Sequence, residues 1–377
     1  MSITADIKER GLYLGYCNVG ITPADDFNEY MEELGKRENY EFINRIPFNT
    51  IVGSYPKKIM PSAKSIVVLL HNYRQNAVPE NLDQMIGGLY LNRCYTPPEH
   101  SINGARLRLM TEYLESLGCE VRDDIHVPAR YAAARAGVAD IGRNTFAYDK
   151  GAGSYIIIYT LIIDKELEYD TPVIDSKCPD GCHKCQEACP TGAIFAPYKM
   201  TPPLCIGMNN WGGFDIPAAM RPKIGSRIHG CDICQQVCPR NMAIDRSRLP
   251  KDEFIERIAP DITLPNILKM EGSFYEKRIQ PIMYNYIRDL RLFRRNAAIA
   301  MGNSGDESYI PALAEAMSEQ DETVRGYIAW ALGKIGGQEA KQILETRMEI
   351  ETDPKVKDEI ISALNDLLGI LLQAQRQ

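Results

Sequence analysis

Eight of the eleven cysteines in this 377-residue chain fall in or beside two short stretches, and no other feature constrains its fold as strongly. The first stretch holds Cys178, Cys182, Cys185 and Cys189, with Pro190 next. The second holds Cys231, Cys234 and Cys238, with Pro239 next, and Cys205 lies upstream of it. The ending C-x₂-C-x₃-C-P occurs in both, as CHKCQEACP and CDICQQVCP. In an exported protein, thiols in this number would suggest disulfides. The N-terminus, MSITADIKER, is instead polar and mixed in charge, unlike a secretory signal. Clustered thiols in such a chain read as metal or cluster ligands. Two structural zinc sites would share the paired C-x₂-C spacing, but the repeated x₃-C-P ending favours iron–sulfur clusters. The segment from about 170 to 245 is otherwise poor in apolar pattern and needs ligands to hold its shape. Cys17, Cys94 and Cys119 are left without a role, as single buried thiols often are.

The doubled run resembles that of the bacterial two-cluster ferredoxins, in which the cysteine before proline serves the other cluster. Carried onto this chain, the resemblance implies one 4Fe–4S cluster on Cys178, Cys182, Cys185 and Cys238. It implies a second on Cys189, Cys205, Cys231 and Cys234. One departure is the first gap, where Pro179, Asp180 and Gly181 replace the usual two residues; Gly and Asp tolerate the turn that an extra residue needs.

The rest of the chain divides by texture into three expected domains, 1–168, 169–248 and 249–377. In the first, Ser65–Leu70 and Tyr155–Ile163 are apolar runs of strand length. Gly104–Gly118 repeats apolar residues at helical spacing and stops at a glycine. Such alternation predicts an α/β or α+β domain. In the third, NAAIAMGNSG (296–305) and YIAWALGKIG (327–336) place Gly302 and Gly333 31 residues apart, and IISALNDLLG (360–369) is a weaker third copy. Small residues at fixed helical positions are what stacked helix pairs need, so the spacing predicts a short α-solenoid resembling HEAT repeats, which commonly offers a docking surface. Net charge is −7, which argues against a uniformly basic nucleic-acid surface but leaves room for a local patch. No apolar run has the length of a membrane span, and the expected location is the cytoplasm.

The order of these parts, and several motifs, resemble the epoxyqueuosine reductase family and, more distantly, the reductive dehalogenases. The motifs are Ala133-Ala134-Arg135-Ala136-Gly137, Ile141-Gly142-Arg143-Asn144-Thr145, Gly153-Ser154-Tyr155, the CPTGA at Cys189–Ala193, the GCDICQ at Gly230–Gln235 and RGYIAWALGKIG at Arg325–Gly336. The resemblance implies an α+β architecture: a nitroreductase-like cobalamin-binding domain, a two-cluster ferredoxin-like domain and the HEAT-like solenoid. It implies an oxidoreductase of queuosine biosynthesis in tRNA, with cobalamin beside the two 4Fe–4S clusters. Gly137, Gly142, Asn144, Thr145, Gly153, Ser154 and Tyr155 are the expected cofactor-binding residues. The cobalamin signature D-x-H-x-x-G is absent; Asp124-Ile125-His126 begins like it, but Ala129 stands at the glycine position.

Reducing an epoxide needs a strong reductant fed one electron at a time and an acid for the departing oxygen. The resemblance places that acid at Asp123, with Tyr131 and Arg130 as rivals. A tRNA substrate needs a phosphate-binding surface, and 277–295 supplies a basic stretch: Lys277, Arg278, Arg291, Arg294 and Arg295 are the candidates, with Arg288, Tyr284 and Tyr286 among them. The expected electron source is a ferredoxin or flavodoxin, and the expected state a monomer. Two other readings share the architecture: reduction of a small halogenated or otherwise reducible molecule, and reductive activation of a corrinoid protein.

Overall fold

The computed structural model describes residues 2–37, 49–213, 215–242, 244, 248–284, 287–318 and 321–374. Its contacts cluster into two compact units, each visited more than once by the chain. One unit comprises Met1–Gln75, Cys94–Pro202 and Ile233–Leu249; the other comprises Asn76–Arg93, Pro203–Asp232 and Pro250–Gln377. The cysteine-rich segment has too few apolar residues for a core of its own, so it is shared out. Cys205 and Cys231 belong to the second unit and the other six cluster cysteines to the first.

The first unit is built on α1 (Ile3–Tyr13), β1 (Asn18–Pro23), β2 (Ser65–Asn72), α2 (Ile102–Ser116), β3 (Val121–Arg122), α3 (Ala129–Arg135), β4 (Asp140–Ile141), β5 (Ala147–Tyr148) and β6 (Ile156–Ile163). Four strands form one sheet in the order β1-β2-β6-β3. Every pair is antiparallel, with Ile21 opposite Val67, Val67 opposite Leu161 and Val121 opposite Ile163. Helices cover both faces, which makes the unit α+β. Ile66, Val68 and Leu70 of β2 pack with Phe27, Ala132 and Ala133 on one side. Val67 and Leu69 pack with Ile7, Met110 and Leu114 on the other. A strand covered on both faces reads as an unbroken apolar run. Helix α2 starts where the Ser101 hydroxyl accepts from Gly104 N at 3.1 Å, and the chain turns away at Gly118, whose φ is +77°.

The second unit contains α4 (Leu290–Ser304), α5 (Ile310–Ala316), α6 (Glu322–Ile335), α7 (Gly337–Ile350) and α8 (Pro354–Ala374). Asp289, Asp321 and Asp353 accept from backbone amides at the starts of α4, α6 and α8. These caps recur every 32 residues (321 − 289 and 353 − 321). A Cβ at Gly302 would lie 2.9 Å from Ala331 Cα, and one at Gly333 would lie 2.6 Å from Ala363 Cβ. The two glycines therefore let α4 and α8 approach α6 closely, which is the physical content of the repeat. Among the described residues no helix is long and apolar enough to cross a membrane.

Glu351, at the end of α7, ties the repeats together. Its buried carboxylate accepts from Arg325 at 2.9 and 3.0 Å, from Arg347 at 2.8 Å and from the amides of Thr352 and Asp353 at 2.9 and 3.0 Å. Burial would raise its pKa, but the Arg325 and Arg347 guanidiniums and those amides outweigh burial and hold it at about 2, against an ordinary 4.5. A carboxyl depressed in the fold adds stability that is complete above its unfolded pKa. That stability should fall away between about pH 4.5 and about pH 2. Glu351→Gln leaves two arginines without their counter-ion and should cost about 3 kcal/mol, read as a lower thermal midpoint at pH 7. The difference from the parent should shrink as the pH is taken down through this window.

Candidate iron–sulfur and active site

Four of the eight cysteines meet in the first unit. Cys178, Cys182, Cys185 and Cys238 line one small cleft with Arg143, Asn144, Tyr148 and Lys184. Burial raises the Cys185 thiol, and the thiols of Cys178, Cys238 and Cys182 add to the rise by facing it. Among the described residues, no group of three His, Cys, Asp or Glu side chains could hold a single metal ion; the four thiols ring a space instead. The extra residue after Cys178 folds into a turn, closed by Cys182 N donating to Pro179 O at 3.2 Å, with Gly181 at φ +66°.

Donors point into this ring. Arg143 N donates to Cys178 Sγ at 3.4 Å, and Arg143 Nη1 to Cys182 O at 2.9 Å. The Tyr148 hydroxyl donates to Cys238 Sγ at 3.2 Å and accepts from Asn144 Nδ2 at 2.9 Å. Asn144 Nδ2 also reaches Cys234 O at 3.3 Å. Arg240 lies over the Tyr148 ring at 4.1 Å, holds Asp140 through bonds of 2.7 and 2.6 Å, and faces Cys178. Sequence reasoning missed Tyr148 and Arg240. Arg240 could have been found as the residue after the second Cys-Pro; nothing in the sequence singles out Tyr148.

The remaining four cysteines are divided between the units. In the first, Cys189 opens the CPTGA turn, where Gly192 at φ +67° curls the backbone amides inward. Burial would raise the Cys189 thiol, but the amides of Ile194, Thr191 and Ala193 and the Thr191 hydroxyl bring it below its ordinary value. In the second unit Cys205 and Cys231 flank Gly207: a Cβ there would stand 3.5 Å from Cys231 N and 3.8 Å from Cys205 Sγ.

The seven residues expected at the cofactor spend much of their chemistry inside the protein. Ser154 N donates to Asn241 Oδ1 at 3.0 Å, and the Ser154 hydroxyl accepts from Gln235 at 3.0 Å and Asn241 at 2.8 Å. A Cβ at Gly153 would collide with Asn241 Oδ1 at 2.2 Å, one at Gly142 with the Tyr148 ring at 2.5 Å, and one at Gly137 with Thr171 O at 2.5 Å. Asn144 belongs to the thiol ring. Thr145, at φ +69°, offers its carbonyl to Arg130. Tyr155 packs edge-on against Tyr73, with ring centroids 5.8 Å apart.

Asp123 is exposed on the segment between β3 and α3. Next to it Asp124 pairs with Arg122 at 2.6 Å, and the segment is anchored by buried Ile125 and Val127. Gly53 lets it pack close, since a Cβ there would stand 2.0 Å from His126 O. Tyr131 lies edge-on to Tyr30 at 5.4 Å, with its hydroxyl pushed up chiefly by burial.

The basic stretch needs one correction. Arg295 is 1% exposed and donates to Asn209 O at 2.7 Å, so it cannot meet a phosphate. Its place at the start of the stretch of α4 that is buried all round, 295–302, explains this. Arg294 is half-buried and donates to Met270 O at 3.0 and 2.7 Å. Arg278 pairs with Asp261 at 2.6 Å, Arg291 with Asp289 at 2.7 Å, and Lys277 is exposed. Tyr286 lies outside the described residues.

Residues 177–241 match the 4Fe-4S double cluster binding domain, and residues 289–365 match HEAT repeats. Fold and site thus define an iron–sulfur protein with two 4Fe–4S clusters and a HEAT-repeat tail. The chain is 30% identical over 365 residues to the epoxyqueuosine reductase of Bacillus subtilis, covering 94% of this chain and 93% of the relative. It is 30% identical over 378 residues to that of Bacillus cereus, covering 98% and 97%. It belongs to the epoxyqueuosine reductase family, a family of oxidoreductases. Its fold matches a solved epoxyqueuosine reductase from Bacillus subtilis with TM-score 0.83 at 27% identity, covering 96% of this chain and 98% of that one; there the catalytic aspartate loop is swung out of the active site. It also matches an epoxyqueuosine reductase solved with an epoxyqueuosine-modified tRNA-Tyr stem loop, with TM-score 0.82 at 27% identity over 96% and 98% of the two chains.

Changing Cys178, Cys182, Cys185 or Cys238 singly to Ala should lower iron from about eight atoms per chain toward about four, measured on anaerobically prepared protein. Full iron in Cys178→Ala would remove that residue from the ligand set.

Proposed function

We propose that this chain reduces epoxyqueuosine to queuosine in the anticodon loop of tRNA. The observation that carries the reading is the ring of Cys178, Cys182, Cys185 and Cys238, lined by the Arg143–Tyr148 segment of the α+β unit. Converting an epoxide to an alkene takes two electrons and two protons and releases water. The clusters deliver electrons singly, drawn from a low-potential ferredoxin or flavodoxin in the cytoplasm, with the chain acting as a monomer. Asp123, on its exposed loop, is the group that gives a proton to the departing oxygen.

The family implies cobalamin, and the first unit has groups that fit it. Tyr16 Oη and His71 Nδ1 are buried and have no hydrogen-bond partner among the described residues. They lie near the paired ends of β1 and β2, where Cys17 N donates to Leu70 O at 2.8 Å. Burial, and secondarily Arg106, push His71 down to about 4, so its ring is neutral. The amide rim of a corrin offers the partners these atoms lack. Tyr16, His71, Thr145 and Tyr155 are the residues we assign to holding it, and when bound it supplies the low-potential reducing centre. Added cobalamin should change the visible spectrum of the anaerobic protein; an unaltered spectrum removes it from the reaction.

Lys277, Arg278, Arg291 and Arg294 are assigned to the tRNA backbone. The ion pairs of Arg278 and Arg291 are part-exposed and cheap to exchange for phosphate. Changing Lys277 and Arg291 together to Gln should weaken filter binding and lower the salt slope by about 0.7 per lost contact. Absence of salt-sensitive tRNA binding by the parent protein would favour a small-molecule substrate instead. Asp123→Asn should keep tRNA affinity and slow single-turnover reduction about 10²–10⁴-fold.

A further inference from the structure

We propose that Tyr148 sets the reduction potential of the cluster held by Cys178, Cys182, Cys185 and Cys238, through the hydrogen bond its hydroxyl donates to Cys238 Sγ at 3.2 Å. This rests on the cluster reading of that ring. Adding an electron to a cube held by four thiolates makes its negative charge larger. A donor aimed at a ligand sulfur therefore stabilises the reduced form more than the oxidised form and raises the potential.

The geometry leaves the hydroxyl little freedom. Tyr148 is 2% exposed. Its oxygen already accepts from Asn144 Nδ2 at 2.9 Å, so its own proton is directed to the sulfur. The ring is clamped from two sides. Gly142 gives it room, since a Cβ there would sit 2.5 Å away. Arg240 covers it at 4.1 Å while locked onto Asp140 by bonds of 2.7 and 2.6 Å. A buried bond with both partners fixed is stronger than an exposed one. The effect is to make this cluster easier to reduce than the same four thiolates would be without the donor.

The test is a potentiometric titration of the full-length anaerobic protein, followed by EPR and visible absorbance, with iron counted in each sample. In Tyr148→Phe the ring stays and the donor goes. The ratio of reduced to oxidised cluster at a fixed potential should fall about tenfold, the scale of one hydrogen bond to a charged group, which is about 59 mV for one electron. One of the two potentials should move and the other stay. Asn144→Asp, which draws the hydroxyl proton away from Cys238, should lower the same potential. Full iron with both potentials unmoved in the two variants overturns the proposal and leaves the cluster reading intact. Loss of iron in Tyr148→Phe also overturns it, because the hydroxyl then builds the site and does not tune it. A parent protein without iron overturns the cluster reading itself.

Discussion

Thiols far apart in sequence must be held at one ring before any cluster can bridge them, and in the first unit that requirement falls on the segment 233–241. Its docking is a matter of hydrogen bonds more than of apolar burial. Gln235 and Asn241 are buried and both are spent on Ser154, with Gln235 also reaching the Tyr73 hydroxyl at 3.1 Å. Arg240 adds the paired bonds to Asp140. A polar network of this kind specifies one arrangement because any slip leaves a buried group unpaired. Cys238 sits inside the network, between Gln235 and Asn241, so its sulfur is placed before iron arrives. Gly153 belongs to the same device, because only the absence of a side chain lets Asn241 come so near.

The same constraint explains where the positive charge goes. The chain carries an excess of acids, with net charge −7, yet the Arg240 guanidinium faces Cys178 and that of Arg143 holds the Cys182 carbonyl. Thiolates in a partly buried site need such partners, since desolvation works against them. Around Cys189 the task passes to backbone amides, which the CPTGA turn aims at the sulfur. The two motifs reach one end by different means, an arginine and a single amide on one side and a nest of amides on the other.

Much of this was legible in the sequence for reasons that can be named. Strand β2 showed because burial on both faces leaves an unbroken apolar run, β6 because its run is likewise apolar, and α2 because its apolar residues recur at helical spacing and stop at a glycine. The solenoid showed because close helix approach demands small residues at fixed positions. The cysteine spacing showed because a cube needs its ligands at short intervals. What stayed hidden depends on pairing across long separations. Nothing local to Ser154 announces Asn241, 87 residues on, and nothing local to Tyr148 announces Cys238, 90 residues on. The division into two interleaved units was hidden for the same reason: texture along the chain reports local composition, whereas units are defined by which core a segment joins.

Arg295 shows how a charge run can mislead. Residues 291, 294 and 295 look alike in sequence, and 291 and 295, four apart, even share a side of α4, but Arg291 lies in its first turn while Arg295 opens the stretch 295–302 that is buried all round. Arg291 points out and meets the Asp cap of its own helix. Arg295 points in and is kept charged there by carbonyl and amide oxygens, with Tyr327 nearby at 5.7 Å. Burial costs a guanidinium less than it costs an ammonium, because a guanidinium is the more weakly hydrated ion and its planar fork can be satisfied by fixed acceptors. An arginine in a basic run is therefore the residue that can be withdrawn into a core, and the charge available to a polyanion must be counted by exposure, residue by residue.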